Sequence, residues 1–259
     1  MITVLVNGAC GRMGRAVVRA VTEAEGMVVV AAVDPAHAGE PLDESTDLPV
    51  DGDLALAIER TRPDVMVDFT HPSVVQDAIR TALAAEVDCV VGTTGLADDA
   101  LSALADEAPD GTCLFVAPNF AIGAVLMMRF AAEAARYLPH VEIIELHHDR
   151  KADAPSGTAL RTASLIAATR SRIPEAPGRE TEIAEGARGA CVDDVVIHSV
   201  RLPGLVAHQE VMFGGTGETL TVRHDSTDRT SFMPGVVLAI RETVKRSGLV
   251  VGLENYLED

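Results

Sequence analysis

The sequence contains no tryptophan, and aromatic residues make up only 3% of its 259 positions. Stacking platforms for nucleobases or sugars are therefore scarce. Basic residues are outnumbered, 21 Lys and Arg against 39 Asp and Glu, for a formal net charge of −18 and a pI near 4.7. A chain of that sign repels phosphate backbones and anionic lipid, which excludes nucleic-acid or membrane binding through general basicity. No run approaches the roughly 20 apolar residues of a membrane-crossing helix. Met1–Val6 enters an apolar segment without a basic leader, so no secretion signal is expected. The four cysteines, Cys10, Cys89, Cys113 and Cys191, form no CxxC pair. They read as reduced thiols of a cytoplasmic protein, not as a disulfide framework or a zinc ribbon. No metal site is expected. Hydrophobic residues at 47% and charged residues at 23% suit a globular chain with a substantial core.

What is present is alternation. Up to about residue 120, apolar runs of strand length (Ile2–Val6, Val28–Val33, Val65–Phe69, Cys89–Val91, Thr112–Val116) are separated by Ala-rich segments with three- and four-residue apolar spacing (Arg12–Glu25, Ser73–Glu86, Asp98–Glu107). Continuous apolar strands alternating with helices predict a doubly wound parallel sheet covered on both faces, an α/β class. Asp98 suits an N-cap, and Ser73 after Pro72 suits another helix start. After Pro118 the texture changes. Helices are expected over Ala121–Tyr137 and from Thr158 to about Ser171, strands over Val141–Leu146, Val195–Leu202, Val206–Phe213 and Glu218–His224, and a long loop over 174–191. Gly214–Gly217 reads as a hairpin tip. This half is expected to hold a mixed, largely antiparallel sheet with helices on one face, an α+β domain. Pro234–Arg246 and Leu249–Leu253 return to helix-then-strand and suit a strand rejoining the first sheet.

Between the first strand and the first helix stands Asn7-Gly8-Ala9-Cys10-Gly11-Arg12-Met13-Gly14. Glycines there let the backbone turn tightly and approach a pyrophosphate at the helix N-terminus. Against a strict GxGxxG spacing, Ala9 takes the first glycine's place, so the fingerprint is imperfect. Asp34 closes the second strand 34 − 14 = 20 residues beyond Gly14, where a carboxylate accepts from ribose hydroxyls. Asp34 argues for NADH; Arg12 leaves NADPH open. Gly92-Thr93-Thr94-Gly95 follows the fourth strand and suits a nicotinamide ribose, or simply a turn.

The second unusual passage is Glu145-Leu146-His147-His148-Asp149-Arg150-Lys151-Ala152-Asp153-Ala154-Pro155-Ser156-Gly157-Thr158. Four potentially cationic side chains fall within residues 147–151 of an acidic chain, directly before a helix N-terminus, whose N–H groups also favour anions. The combination points to a small polyanionic substrate such as a carboxylate. A solvated surface loop is the bland alternative. Metal ligation by the adjacent histidines is disfavoured, because neighbours in an extended segment face opposite ways. His and Lys together also suit proton transfer during a reduction.

These stretches, with Asp68-Phe69-Thr70-His71-Pro72, Val91–Gly95, Ala117-Pro118-Asn119-Phe120, Arg201–Gly204 and Ala207–Glu210, resemble the 4-hydroxy-tetrahydrodipicolinate (dihydrodipicolinate) reductase family of the diaminopimelate–lysine pathway, almost from end to end. The resemblance implies a Rossmann-type dinucleotide-binding domain over 1–120, a substrate-binding and oligomerisation domain over 121–230, and a C-terminal segment, 231–259, returning to the first domain. It implies NADH or NADPH held by Gly8, Ala9, Cys10, Gly11, Arg12, Met13, Asp34, Gly92, Thr93, Thr94, Ala117, Pro118, Asn119 and Phe120. It implies His147 and Lys151 as proton-transfer residues, His148, Gly157 and Thr158 as grips for substrate carboxylates, and a homotetramer built through the second domain's sheet. Two departures stand out: Pro35 follows Asp34 where a basic residue is frequent, and Arg150 precedes Lys151 where histidine is frequent. Another two-domain NAD(P)-dependent dehydrogenase accounts for residues 1–120 but not for the His147–Thr158 passage. A nucleotide-sensing regulator would bind cofactor without turnover.

Overall fold

The computed structural model describes residues 1–43, 46–172 and 181–257. The chain divides into two compact units, Met1–Phe120 with Phe232–Asp259, and Ala121–Ser231. In the first, β1 (Ile2–Asn7), β2 (Met27–Val33), β3 (Pro41–Asp43), β4 (Thr46–Asp51), β5 (Val65–Asp68), β6 (Asp88–Val91), β7 (Cys113–Val116) and the late β13 (Gly248–Val251) form one sheet of order β13-β7-β6-β5-β1-β2-β4-β3. Every pairing in it is parallel except β3 with β4. The doubly wound sheet expected from the alternation is therefore present, and the last strand does rejoin it beside β7.

The strands are apolar on both sides because both sides are covered. On one face, Leu5, Met66, Cys89 and Leu114 pack under α2 (Leu54–Thr61), α3 (Pro72–Ala84) and α4 (Asp98–Asp106). The other face is covered by α1 (Arg12–Glu23) and α7 (Met233–Thr243). Helix α1 buries Gly14, Val17, Val18 and Val21, one stripe at helical spacing.

Some local expectations are corrected. Ala97, not Asp98, is the N-cap of α4; its side chain makes no capping bond, and Asp98 and Asp99 sit in the first turn, where carboxylates meet the positive end of the helix dipole. Helix α3 begins at Pro72, and the His71 Nδ1 accepts from the Ser73 amide at 3.2 Å, replacing the start expected at Ser73. The elements β3, β4 and α2 were not anticipated.

The second unit carries α5 (Ile122–Ala135), β8 (His140–His147), α6 (Gly157–Thr169), β9 (Ala190–Val192), β10 (Val195–Arg201), β11 (Ala207–Gly215) and β12 (Glu218–Ser226). Its sheet runs β12-β11-β8-β10-β9; β8 and β10 are parallel and the other pairs antiparallel. Ile143, Ile197, Val211 and Phe213 are buried on the face carrying α5 and α6. The alternate residues Ile144, Leu146, Val196, Val200 and Met212 are half-buried on the opposite face. The loop expected over 174–191 lies partly outside the described residues, and β9 occupies its end. The β11–β12 tip is Thr216-Gly217, with Gly217 at φ +76°, while Gly214 and Gly215 belong to β11. No described helix is long and apolar enough to cross a membrane.

Candidate active site

In the first unit the order of strands reverses at β1: β2 follows on one side, β5 on the other. Connections leaving these strands diverge, and the space at their carboxyl ends is where such sheets take ligands. The loop leaving β1 turns at Gly8, φ +78°, where a Cβ would meet the Phe69 carbonyl oxygen at 2.8 Å. At Gly14 a Cβ would lie 2.0 Å from the Gly8 oxygen, so only glycine lets α1 start this close to the strand. Gly11 caps α1 without a side chain, and the amides of Arg12 and Met13 in the first turn face the loop as anion donors. The Asp34 carboxylate accepts from the Cys10 and Ala36 amides, both at 3.2 Å, and so stands at the loop's edge where a ribose would lie. Gly-mediated close approach, an uncapped helix start and a carboxylate at the end of β2 fit a dinucleotide. Ala9 in the strict fingerprint position is buried, and its amide donates to the Val33 oxygen at 3.1 Å, so it serves the turn rather than the ligand.

The neighbouring loops are tied together by Asp68. This fully buried carboxylate accepts from Asn7 Nδ2 (2.8 Å), the Thr70 amide (3.1 Å) and hydroxyl (2.9 Å), and the Thr93 hydroxyl (2.7 Å). The Thr93 side chain therefore points inward, so what it offers a cofactor is backbone. Gly92 is required by packing, since a Cβ would collide with the Phe69 ring at 2.1 Å. Thr94 is exposed beside it. Ala117 donates its amide to the Val91 oxygen at 3.1 Å; Pro118 is exposed, Asn119 half-buried, and Phe120 packs its ring against Phe69 and Phe115 with centroids 5.6 and 5.9 Å apart. A cavity of about 890 Å³ in this unit, lined among others by Ile2, Asp64, Asp88 and Thr112, opens at the opposite edge of the sheet and takes no part in this arrangement.

In the second unit the basic passage is organised around a carboxylate. Glu145, the inward residue near the end of β8, is fully buried and grips Arg201 of β10 in a two-pronged pair at 2.7 and 2.9 Å. It also accepts from the Ser156 amide at 3.2 Å, and its Oε2 lies 2.5 Å from His147 Nδ1. Burial pushes the Glu145 carboxyl up, but hydrogen bonds from His147, Arg201 and Ser199 outweigh it and hold the group at about 2. A permanent anion thus fixes the His147 ring and leaves Nε2 as its outward nitrogen.

Lys151 is brought back beside His148 by its amide bond to the His148 oxygen at 3.2 Å. Its ammonium is paired with both Asp153 carboxylate oxygens, at 2.8 and 2.9 Å, and this contact lowers the Asp153 pKa. Among the described residues His148 Nδ1 is buried without a hydrogen-bond partner, at a cost of roughly 1–3 kcal/mol. Ser156 caps α6 by accepting from the Ala159 amide at 3.2 Å, which leaves Gly157 and Thr158 as the turn presented outward. A Cβ at Gly157 would meet nothing within 4 Å, so the space above the helix start is open.

His147, His148, Lys151, Gly157 and Thr158 thus fall in one segment around one helix start, whereas Arg150 is exposed. The expected cluster of four cations is smaller in effect, because Asp153 covers Lys151. Glu145, Arg201, Asp153 and Asp68 are functional candidates to which the sequence reading, though it quoted each within a motif, gave no role. The visible signal for Glu145 was an acid at an inward position of an apolar strand.

Two sequence profiles of one family match the chain: that described as dihydrodipicolinate reductase, N-terminus, over residues 2–120, and the C-terminus of the same family over residues 123–257. A 4-hydroxy-tetrahydrodipicolinate reductase of Desulfitobacterium hafniense (strain DSM 10664 / DCB-2) is 50% identical over 266 residues, covering 99% of each chain. Its counterpart in Mycobacterium sp. (strain KMS) is 51% identical over 255 residues, covering 98% of each. A solved dipicolinate-bound dihydrodipicolinate reductase from Paenisporosarcina sp. TG-14 is similar with a TM-score of 0.87 at 46% identity, over 98% of this chain and 99% of that one. An amine dehydrogenase from Mycobacterium smegmatis, 15% identical with a TM-score of 0.62 over 96% of this chain and 94% of that one, shares the fold alone.

Proposed function

The chain belongs to the dihydrodipicolinate reductase family, and from that premise we propose how its own residues carry the family's reaction. That reaction is the NAD(P)H-dependent reduction of 4-hydroxy-tetrahydrodipicolinate to tetrahydrodipicolinate with loss of water, in lysine biosynthesis through diaminopimelate. The bound dinucleotide supplies the hydride. Residues Gly8–Met13, Asp34, Gly92–Thr94 and Ala117–Phe120 form its cradle, the glycine loop through the Arg12 and Met13 amides at the start of α1 and Asp34 through its carboxylate.

The substrate is a ring bearing two carboxylates. The Gly157 and Thr158 amides at the start of α6, with His148 and the ammonium of Lys151, supply donors for those anions. His147 Nε2 and Lys151 Nζ are the proton-bearing atoms available to the ring as water leaves and the ring is reduced. Glu145 serves them indirectly: it keeps His147 in one orientation and, through Ser156, fixes where α6 begins. Asp153 holds Lys151 until a substrate anion competes for it. The single observation that supports this reading is the buried Glu145–Arg201 pair, which bonds His147 and the Ser156 amide ahead of the open Gly157 and, through the Asp153 carbonyl that Arg201 also meets, reaches the residue paired with Lys151.

Two further parts of the proposal concern assembly and place. The half-buried stripe of Ile144, Leu146, Val196, Val200 and Met212 on the uncovered sheet face supports a homotetramer built through that sheet. Ionic groups are interleaved with it on the same face, with Glu142 paired to Arg188 and His198, and Arg223 bridging Glu210 and Asp225. A cytoplasmic location is supported by four cysteines that are all free.

The test is the double variant His147→Ala with Lys151→Ala, assayed with an upstream synthase generating the unstable substrate and with NADH and NADPH in parallel. Turnover is expected to fall by about 10²–10⁴, while NADH affinity, measured by fluorescence titration, stays at the wild-type value. An equal loss of NADH affinity would remove these two residues from the proton-transfer role.

A further inference from the structure

The Cys10 thiol takes no part in holding the dinucleotide, because the loop that carries it works through its backbone. Its surroundings suggest another use. Cys10 Sγ, a carboxylate oxygen of Asp34 and a ring nitrogen of His37 lie within 4.8 Å of one another. They come from two pieces of backbone: the glycine loop, and the 3-10 turn Pro35–His37 after β2, which Asp34 caps. Donors around a tetrahedral zinc stand about 2.0–2.3 Å from the metal, hence roughly 3–4 Å from each other; a small contraction of side chains brings these three to that spacing. We propose that Cys10, Asp34 and His37 form a binding site for a thiophilic divalent cation of the zinc class, and that its occupation excludes the dinucleotide.

The donor set argues for the class of metal. One thiolate, one imidazole and one carboxylate select zinc-like ions over magnesium or calcium, which prefer oxygen. His37 Nδ1 lies 3.1 Å from Glu40 Oε2, the carboxylate–histidine arrangement that orients a metal-binding ring and leaves Nε2 to the ion. A thiolate and a carboxylate together balance a dication. A cysteine thiol carries its proton at neutral pH unless a metal or base draws it off. Binding therefore forms a metal–sulfur bond and releases one proton to solvent. The exclusion follows from sharing: an ion and the ribose hydroxyls compete for the same two Asp34 oxygens, each of which already accepts a backbone amide. That second half rests on the reading of Asp34 as the ribose acceptor; the metal site itself does not.

The experiment uses cobalt(II) as the spectroscopic probe and zinc(II) as the competitor, on the full-length enzyme without cofactor. Cobalt is expected to give a thiolate-to-metal charge-transfer band at one equivalent per chain. The band should disappear in Cys10→Ser, and apparent cobalt affinity should fall at least about tenfold in His37→Ala. Zinc is expected to raise the apparent NADH dissociation constant of the wild type in proportion to its concentration. It should leave that of His37→Ala, whose metal-free reductase activity is unchanged, at least about tenfold less affected. No charge-transfer band, or a band that persists in Cys10→Ser, would overturn the site; NADH affinity indifferent to zinc would overturn the exclusion. Should the enzyme fail to bind NADH at all, the functional reading falls, yet the cobalt spectrum still decides the metal site.

Discussion

Gly157 separates a residue kept for the fold from one kept for a ligand. Gly8 and Gly14 cannot carry a side chain without striking the backbone, whereas a methyl group at Gly157 meets no protein atom within 4 Å. Alanine there should be harmless or slightly stabilising, because glycine in a helix costs roughly 0.5–1 kcal/mol relative to alanine. It would, however, crowd an anion approaching the helix start. Gly157→Ala is expected to keep or raise Tm while raising the substrate KM about tenfold, equivalent to about 1.4 kcal/mol; a Tm scan with steady-state kinetics checks both. At this scale the sequence was informative where function is local. His147, His148 and Lys151 could be proposed as a group because they sit within five residues of one another. Their orienting partner was not, because Glu145 meets Arg201 across 56 residues, and no spacing rule announces that two strands will bring opposite charges together. Asp153 stood in plain view two residues from Lys151, and only geometry shows that it covers the ammonium.

Among the elements, β6 begins on a carboxylate in an unfavourable place. Asp88 is pushed up to about 6, first by burial and further by the charge of Asp64, although the Cys113 amide donates to it at 2.8 Å and opposes the shift. A group whose folded pKa is raised favours the folded state below its unfolded pKa, about 3.9, and that contribution is lost as pH rises through about 6. Asp88→Asn keeps an oxygen for the Cys113 amide and removes the buried charge. It should raise Tm by a few degrees at neutral pH and give no advantage below about pH 4, where the carboxyl is protonated in both states. Thermal melts of both proteins across that range measure the difference. The parallel strands were readable since apolar runs that short, set between helical segments, fit a strand covered on both faces better than a buried helix. The hairpin of β3 and β4 was not: its strands are short, β4 contains Pro49, and Asp51 and Asp53 break the apolar pattern. The start of α3 moved by a residue because Pro72 takes the first helical position behind a His71 cap, and α4 is preceded by Ala97 with Asp98 inside its first turn.

For the whole molecule, the fold class was legible because periodicity, strand length and the glycine loop all agree, whereas assembly is not written in any local pattern. Ile144 and Met212 lie on the sheet face away from α5 and α6, and neither belongs to the buried core. Replacing both, Ile144→Asp with Met212→Asp, should leave each chain folded while placing charge in the proposed subunit contact. Light scattering coupled to size exclusion is expected to show the wild type at about four times 27.2 kDa and the variant at a lower mass, with unchanged far-UV circular dichroism. A wild type that runs as a single chain would remove the tetramer.

Asp68 also constrains what this architecture can become. One carboxylate serves as the common fastening for the ends of three strands, through Asn7, Thr70 and Thr93. The three crossover connections are in this respect a single unit of inheritance. A change that withdraws one donor loosens the other two, so lineages are expected to alter these positions in concert or leave them alone, while the length of an untethered loop drifts freely.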